Sequence, residues 1–270
     1  MTIERLQAHW GFSRMPFGRD LAPGMLVTTR GHAEAVARIS WLIAEGALGV
    51  LTGEVGAGKT VAARAATATL DHRHVVIYLG NPAGGVRGYY RDIVTTLGGT
   101  PPYQIAALIA AAVDRLRTER AERGRRVVLV CDEAHLLDPR QLDELRFLLS
   151  DEMDSRSLFA CLLVGQPSLR RQLKLGAYAA LDQRVALRYQ LEGMDAAETA
   201  TYIGQHLALA GRKDTLFSDD AIGLIHQTSR GLPRAVNNLA IQALISAFAD
   251  KKTIVDERSA AAAVTELDAA

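Results

Sequence analysis

Residues 51–60 read LTGEVGAGKT. Positions 53–60 fill the pattern Gly-x-x-x-x-Gly-Lys-Ser/Thr completely, with an apolar run (ALGVLTG) before and an alanine-rich helical run (KTVAARAATATL) after. A loop of this kind suits phosphates. Gly53, Gly56 and Gly58 let backbone N–H groups curl around phosphate oxygens, with Glu54, Val55, Ala57 and Val61 completing the cradle. The helix N-terminus that follows adds partial positive charge. Lys59 would neutralise the β- and γ-phosphates, and the Thr60 hydroxyl would hold Mg²⁺. A second pattern, VVLVCDEAH at 127–135, ends a buried strand in two acids. Asp132 would bind Mg²⁺ through its water shell, and Glu133 would polarise an attacking water. The two patterns together point to hydrolysis of ATP. A metabolic kinase would have no need of Glu133.

These residues need a framework. HAEAVARISWLIAEG (32–46) has helical spacing and ends at a glycine. Short apolar runs at 47–53, 74–80, 125–135 (with its acids at the C-terminal end), 158–167 and 184–193 read as five strands, the last alternating less cleanly. Helical runs lie between them: VRGYYRDIVTTLGG, capped by Gly98; a long one behind Pro101–Pro102; and DPRQLDELRFLLSDEM, with Asp138 as its cap and Pro139 at its first position. Strands alternating with helices, each strand apolar throughout, predict an α/β fold with a five-stranded parallel sheet covered on both faces. After Gly193 every remaining segment is helical. The expected organisation is an irregular N-terminal linker and a helix over 1–45, a phosphate-binding core over 46–192 and an all-helical domain over 193–270.

The 270 residues are 49% hydrophobic and 23% charged, ordinary for a soluble globular protein. Cys131 and Cys161 both sit in apolar runs without C-x-x-C spacing, which excludes a zinc ribbon or redox motif and suits two buried thiols in a reducing compartment. The N-terminus has no apolar signal region, and no apolar stretch approaches the ~20 residues that span a bilayer. The expectation is a cytoplasmic protein with no membrane association. A net charge of +1 does not advertise a nucleic-acid binder. The charge is uneven, however. Segment 114–126 carries six arginines and three acids, and reads as a solvated helix face. Segment 170–188 carries Arg170, Arg171, Lys174, Arg184 and Arg188 against Asp182 alone.

With the helical tail, these motifs resemble the AAA+ ATPases, a P-loop NTPase fold with a C-terminal helical lid, over most of the chain. HWGFSRMPFGRD resembles the opening of the ExeA/GspA-like group, and LTGEVGAGKT that group's Walker A. LLVGQP is similar to the end of the fourth strand, which implies Gln166 as the polar sensor 1. GLPRAVNNL (231–239) resembles the sensor 2 motif, which implies that Arg234 reaches the γ-phosphate of its own subunit. An arginine at a helix start, where the dipole favours negative charge, suits an anionic partner. The resemblance also implies an arginine finger from a neighbouring subunit, Arg184 first and Arg188 second, and so a homo-oligomer, as a ring or a helical filament.

Within the resemblance two jobs stand apart. The resemblance implies that secretion ATPases of the ExeA/GspA type carry a transmembrane segment and a periplasmic domain; the expectation for this chain is neither. Soluble transposition ATPases of the TnsC/TniB type, with MuB and IstB more distant, bind duplex DNA as ATP-dependent assemblies, recruit a transposase and hydrolyse ATP to disassemble. The leading expectation is such a target-selection regulator. The alternative is an ExeA-like secretion or protein-remodelling ATPase without a DNA role. In the first case the loop after the second strand faces a central pore, where Arg87, Tyr89, Tyr90 and Arg91 would contact the DNA backbone. The same tyrosines equally fit a helix start that packs on the sheet. Ser155 and Arg156 are a second candidate for the pore.

Overall fold

The computed structural model describes residues 2–18, 27–149 and 157–268. They divide into two compact units. The first comprises 33–55 and 59–191, and the second 1–32, 56–58 and 192–270.

The larger unit is built on strands β1 (Leu48–Gly53), β2 (His74–Leu79), β3 (Arg126–Cys131), β4 (Phe159–Gly165) and β5 (Val185–Leu191). All pair in parallel, in the order β2-β3-β4-β1-β5. Every residue of β1 and β4 is buried, as continuous apolar strands require when helices cover both faces. β5 lies at an edge and is buried mainly at its ends, which accounts for its weaker pattern. Helix α2 (Arg30–Glu45) presses on β1 so closely that a Cβ at Gly49 would come 2.7 Å from Leu42 Cδ1. Helices α3 (Lys59–Ala68), α4 (Gly85–Thr96), α5 (Ile105–Ala121), α6 (Pro139–Leu148), α7 (Pro167–Leu173) and α8 (Ala179–Gln183) complete the unit.

Local chemistry sets these boundaries. Asp138 caps α6 in a full capping box with Gln141, and Pro139 opens the helix. Such a cap contributes about 1 kcal/mol. Gly98, at φ 76°, follows the end of α4 and donates its N–H to Thr95 O. The arginine-rich end of α5 is not only a solvated face. Glu119 is buried there, and its carboxylate takes Arg123 at 2.6 Å and Arg125 at 2.6 Å.

The second unit contains α1 (Ile3–Trp10), α9 (Ala196–Leu209), α10 (Asp219–Ser229), α11 (Pro233–Ala249) and α12 (Glu257–Asp268). The N-terminal segment departs from expectation in two ways. Residues 3–10 form a helix, with Gly11 in the left-handed conformation at its end, where an irregular stretch was expected. Leu6, Trp10, Phe12 and Phe17 are then buried in the same core as Ile203, Leu207, Val236 and Leu244, so 1–32 groups with the C-terminal helices rather than standing alone as a linker. In this core Phe17 stacks on His206, whose ring Tyr202 also touches. Burial pushes His206 down to about 4, so the imidazole is neutral at neutral pH.

Candidate active site

β1 delivers the phosphate loop to the edge of the sheet, and α3 carries it away. Gly53 is the last residue of β1, and Lys59 and Thr60 open α3. Between them Gly56 (φ 84°) and Gly58 (φ 96°) adopt backbone conformations that side chains rarely take. This is why the loop needs glycine there and tolerates the exposed Glu54 and Val55 elsewhere. Ala57 is buried and Val61 half-buried, so both anchor the cradle from inside. The Lys59 ammonium donates to Gly53 O and Glu54 O, each at 2.9 Å, which holds its charge against the loop.

The two motifs meet. Thr60 Oγ1 donates to Asp132 Oδ2 at 2.8 Å across 72 positions of sequence. Asp132 is 5% exposed, and its other oxygen, Oδ1, accepts the Glu133 backbone N–H at 2.8 Å. A hydroxyl beside a carboxylate is a hard oxygen donor set of the kind Mg²⁺ takes together with water and phosphate. Thr60 and Asp132 would hold the ion, which when bound would neutralise charge on the transferred phosphate.

Glu133 stands in the left-handed region at φ 50° with half its side chain in solvent. A non-glycine residue is held in that conformation only where its surroundings over-determine it. The exit of β3 is tightly built. Asp132 N donates to Leu79 O at 3.0 Å, and a Cβ at Gly165 would come 3.1 Å from the His135 backbone N. His135 Nδ1 accepts the Gln166 backbone N–H at 3.4 Å and lies 3.6 Å from Glu133 Oε2. The Gln166 residue and Glu133 thus converge on one imidazole. Gln166 sits at the N-cap of α7 without capping it through its side chain, so the turn does not consume the amide.

Two groups here were not anticipated from sequence: His135 and Tyr78. Tyr78 OH donates to Asp132 Oδ2 at 2.9 Å. Burial, and then the Asp132 carboxylate, push that hydroxyl up to about 12, so it stays a donor at neutral pH. Tyr78 belongs to no motif, and His135 only closes the VVLVCDEAH run. Both reach the site because β2 pairs beside β3 and because β3 leaves the sheet through a tight turn.

The arginines fall out differently. Arg184 is half-exposed at the C-terminal end of α8, just before β5. Arg188 is engaged by its own chain: Nη2 reaches Asp182 Oδ1 and Asp182 O, both at 2.6 Å. Arg234 is exposed in the first turn of α11, and its N–H donates to Gly56 O at 3.3 Å. A Cβ at Gly56 would come 2.8 Å from Arg234 Cβ. The loop residues 56–58 therefore belong with the helical unit by their contacts.

The pore candidates need correction. Tyr89 (3% exposed) and Tyr90 (1%) are buried in the core of the larger unit, so of the two readings the packing one holds and neither ring can meet DNA. Their helical spacing with Ile93, Val94 and Leu97 puts them on the face of α4 toward the sheet. Arg87 is exposed but engaged, donating to Tyr103 O and lying over the Tyr103 ring. Arg91 is exposed and pairs with Asp92 at 3.1 Å. Ser155 and Arg156 lie outside the described residues.

Residues 43–173 match the family model of the AAA domain. The chain is an ATPase with the AAA+ fold. Its sequence is similar to general secretion pathway protein A of Aeromonas hydrophila, 32% identical over 244 residues. The match takes in 89% of this chain and 44% of that relative, so the chain spans less than half of the relative's length. Solved structures with the same fold include Drosophila ORC bound to DNA (TM-score 0.70, 18% identity, 98% of this ATPase and 66% of that chain). Cdc6p of Pyrobaculum aerophilum is another (0.66, 16%, 88% and 67%). The RuvB branch migration motor of Thermotoga maritima is a third (0.58, 20%, 87% and 69%). Among the described residues no helix of this ATPase is long and apolar enough to cross a membrane.

Proposed function

We propose that this ATPase is a nucleotide-controlled DNA-binding regulator of transposition. ATP draws copies of the chain together on duplex DNA as a ring or helical filament. The assembly marks a target and recruits a transposase, and hydrolysis releases it. The observation that carries the chemical half is the bonded pair Thr60–Asp132, with Glu133 next in chain. It supports Mg²⁺-dependent cleavage at the loop, with Lys59 on the phosphates and Glu133 orienting water. Arg234, bonded to Gly56 O, supports coupling between the nucleotide and the helical unit. Arg184, at the end of α8 before the edge strand β5, supports a finger donated to a neighbouring copy. Gln166 supports a sensor at the β4 exit. The DNA half leans on a layout like that of the soluble transposition ATPases and on a fold shared with ORC bound to DNA.

A second reading has its own observation. The identity to general secretion pathway protein A extends over 89% of this chain and favours a secretion or protein-remodelling ATPase without a DNA role. Retention of labelled duplex DNA on a filter, at low salt, separates the two. The transposition reading expects retention with ATP, less with ADP and least without nucleotide, falling steeply as salt rises and indifferent to DNA sequence. Duplex left unbound in all three states would remove the DNA role and leave the second reading.

A further inference from the structure

The Asp132 carboxylate has a third partner that the motifs do not account for. Oδ2 takes Thr60 Oγ1 at 2.8 Å and Tyr78 OH at 2.9 Å, while Oδ1 takes the Glu133 N–H at 2.8 Å. Three donors fix the plane and rotation of one buried acid. Thr60 and the backbone N–H come with the two motifs themselves. Tyr78 comes from another strand, and its position there is explained only by this contact.

Packing in the apolar core does not hold Tyr78 where it is; only its hydroxyl end is shielded from water. The residue is 57% exposed, on the face of β2 opposite the buried Ile77 and Leu79. The register explains its reach. Leu79 lies opposite Cys131 and Tyr78 opposite Val130, so Asp132 stands two residues further along than Tyr78. At about 3.3 Å per residue the hydroxyl must run roughly 6–7 Å along the strand direction, a span for a tyrosine and not for serine or threonine. The ring can take that course because residue 80 is glycine. A Cβ at Gly80 would come 2.5 Å from Tyr78 Cε1 and 3.1 Å from Cζ. Tyr78 and Gly80 thus form one device: the glycine clears a path and the tyrosine uses it to reach the acid.

We propose that Tyr78 is a positioning residue for the metal-holding carboxylate, and that it sets the affinity of the nucleotide site for its divalent cation. This rests on the assignment of Asp132 to Mg²⁺. A partner that orients a ligand from outside raises metal affinity by fixing the ligand in the geometry the ion needs, and its removal typically costs about tenfold or more. Tyr78 touches neither nucleotide nor reacting atoms through this contact, so its loss spares nucleotide binding where no metal takes part.

The test uses Mn²⁺ as the probe, followed by electron paramagnetic resonance, on the full chain with a non-hydrolysable ATP analogue. Affinity for the analogue is measured separately in EDTA. Tyr78→Phe, which keeps the ring and removes the hydroxyl, is expected to weaken Mn²⁺ binding about tenfold and to leave binding of the analogue in EDTA within about twofold. Gly80→Ala, which displaces the ring and keeps the hydroxyl, is expected to weaken Mn²⁺ in the same way. Asp132→Asn provides the reference. Wild-type Mn²⁺ affinity in Tyr78→Phe, beside a large loss in Asp132→Asn, overturns the role of Tyr78 alone. Equal weakening with metal and in EDTA overturns it too, since the tyrosine would then serve the fold or the nucleotide. No loss in Asp132→Asn overturns both this role and the metal assignment.

Discussion

Glu133→Gln is expected to bind ATP as the unaltered chain does and to release phosphate about 10²–10⁴ times more slowly. That range corresponds to about 3–5 kcal/mol of lost transition-state stabilisation. The substitution is nearly isosteric, and half of the Glu133 side chain is in solvent, so no packing is disturbed. The phosphate-facing groups stay in place, because Lys59, Thr60 and Asp132 are held by bonds that do not involve the Glu133 side chain. What disappears is the basic oxygen that takes a proton from water. Equilibrium binding of a fluorescent ATP analogue and phosphate release, measured on the same preparation, separate the two effects. Turnover at the original rate would strip Glu133 of its role. Lost binding would show that Glu133 serves the cradle instead.

Gly231→Ala has the largest expected structural effect. Segments 193–194 and 230–231 pass backbone against backbone, joined by Met194 N–H to Gly231 O at 2.9 Å. A Cβ at Gly231 would come 2.0 Å from Met194 O and 2.7 Å from Met194 N. A Cβ at Gly193 would come 2.1 Å from Arg230 O. Gly231 also lies at φ 67°, where alanine costs about 1 kcal/mol before any clash. Because the obstacle is backbone, the chain itself must move, and the total loss is expected at about 3 kcal/mol. α11 starts at Pro233, two residues on, with Arg234 in its first turn. Thermal unfolding should therefore show a lower midpoint, and ATP affinity should fall with it. A variant that melts with the unaltered chain would mean that the close approach is not rigid.

The contrast between these residues explains what sequence could reveal. Gly56, Gly58, Lys59, Thr60, Asp132 and Glu133 were legible because their chemistry is written in consecutive positions next to an apolar run. The central strands β1, β3 and β4 were legible for the same reason, since strands buried on both faces are apolar throughout. Tyr78 was not legible: its link to Asp132 depends on which residue of β2 lies beside which residue of β3, and on a glycine two positions away. His135 depends likewise on the tight exit of β3. The helix at Ile3–Trp10 was hidden because it buries only Leu6 and Trp10, while the prolines and glycines that follow suggested irregular chain. Tyr89 and Tyr90 carried two signals, arginine neighbours and helical spacing with Ile93 and Val94, and the apolar spacing decided their place. The pairing of Arg188 with Asp182, in the same charged segment, depends on the turn between α8 and β5 rather than on any motif.

We propose that each ATP is cleaved in a site completed by a second copy of the chain. Glu133→Gln lacks the base but keeps Arg184, and Arg184→Ala keeps the base but lacks the finger. Each alone should be nearly inactive. The decisive measurement is phosphate release from an equimolar mixture of the two. Turnover well above the sum of the separate proteins is expected, since Arg184 of one copy would complete the site that holds Glu133 of another. A mixture that releases no more phosphate than that sum would contradict it.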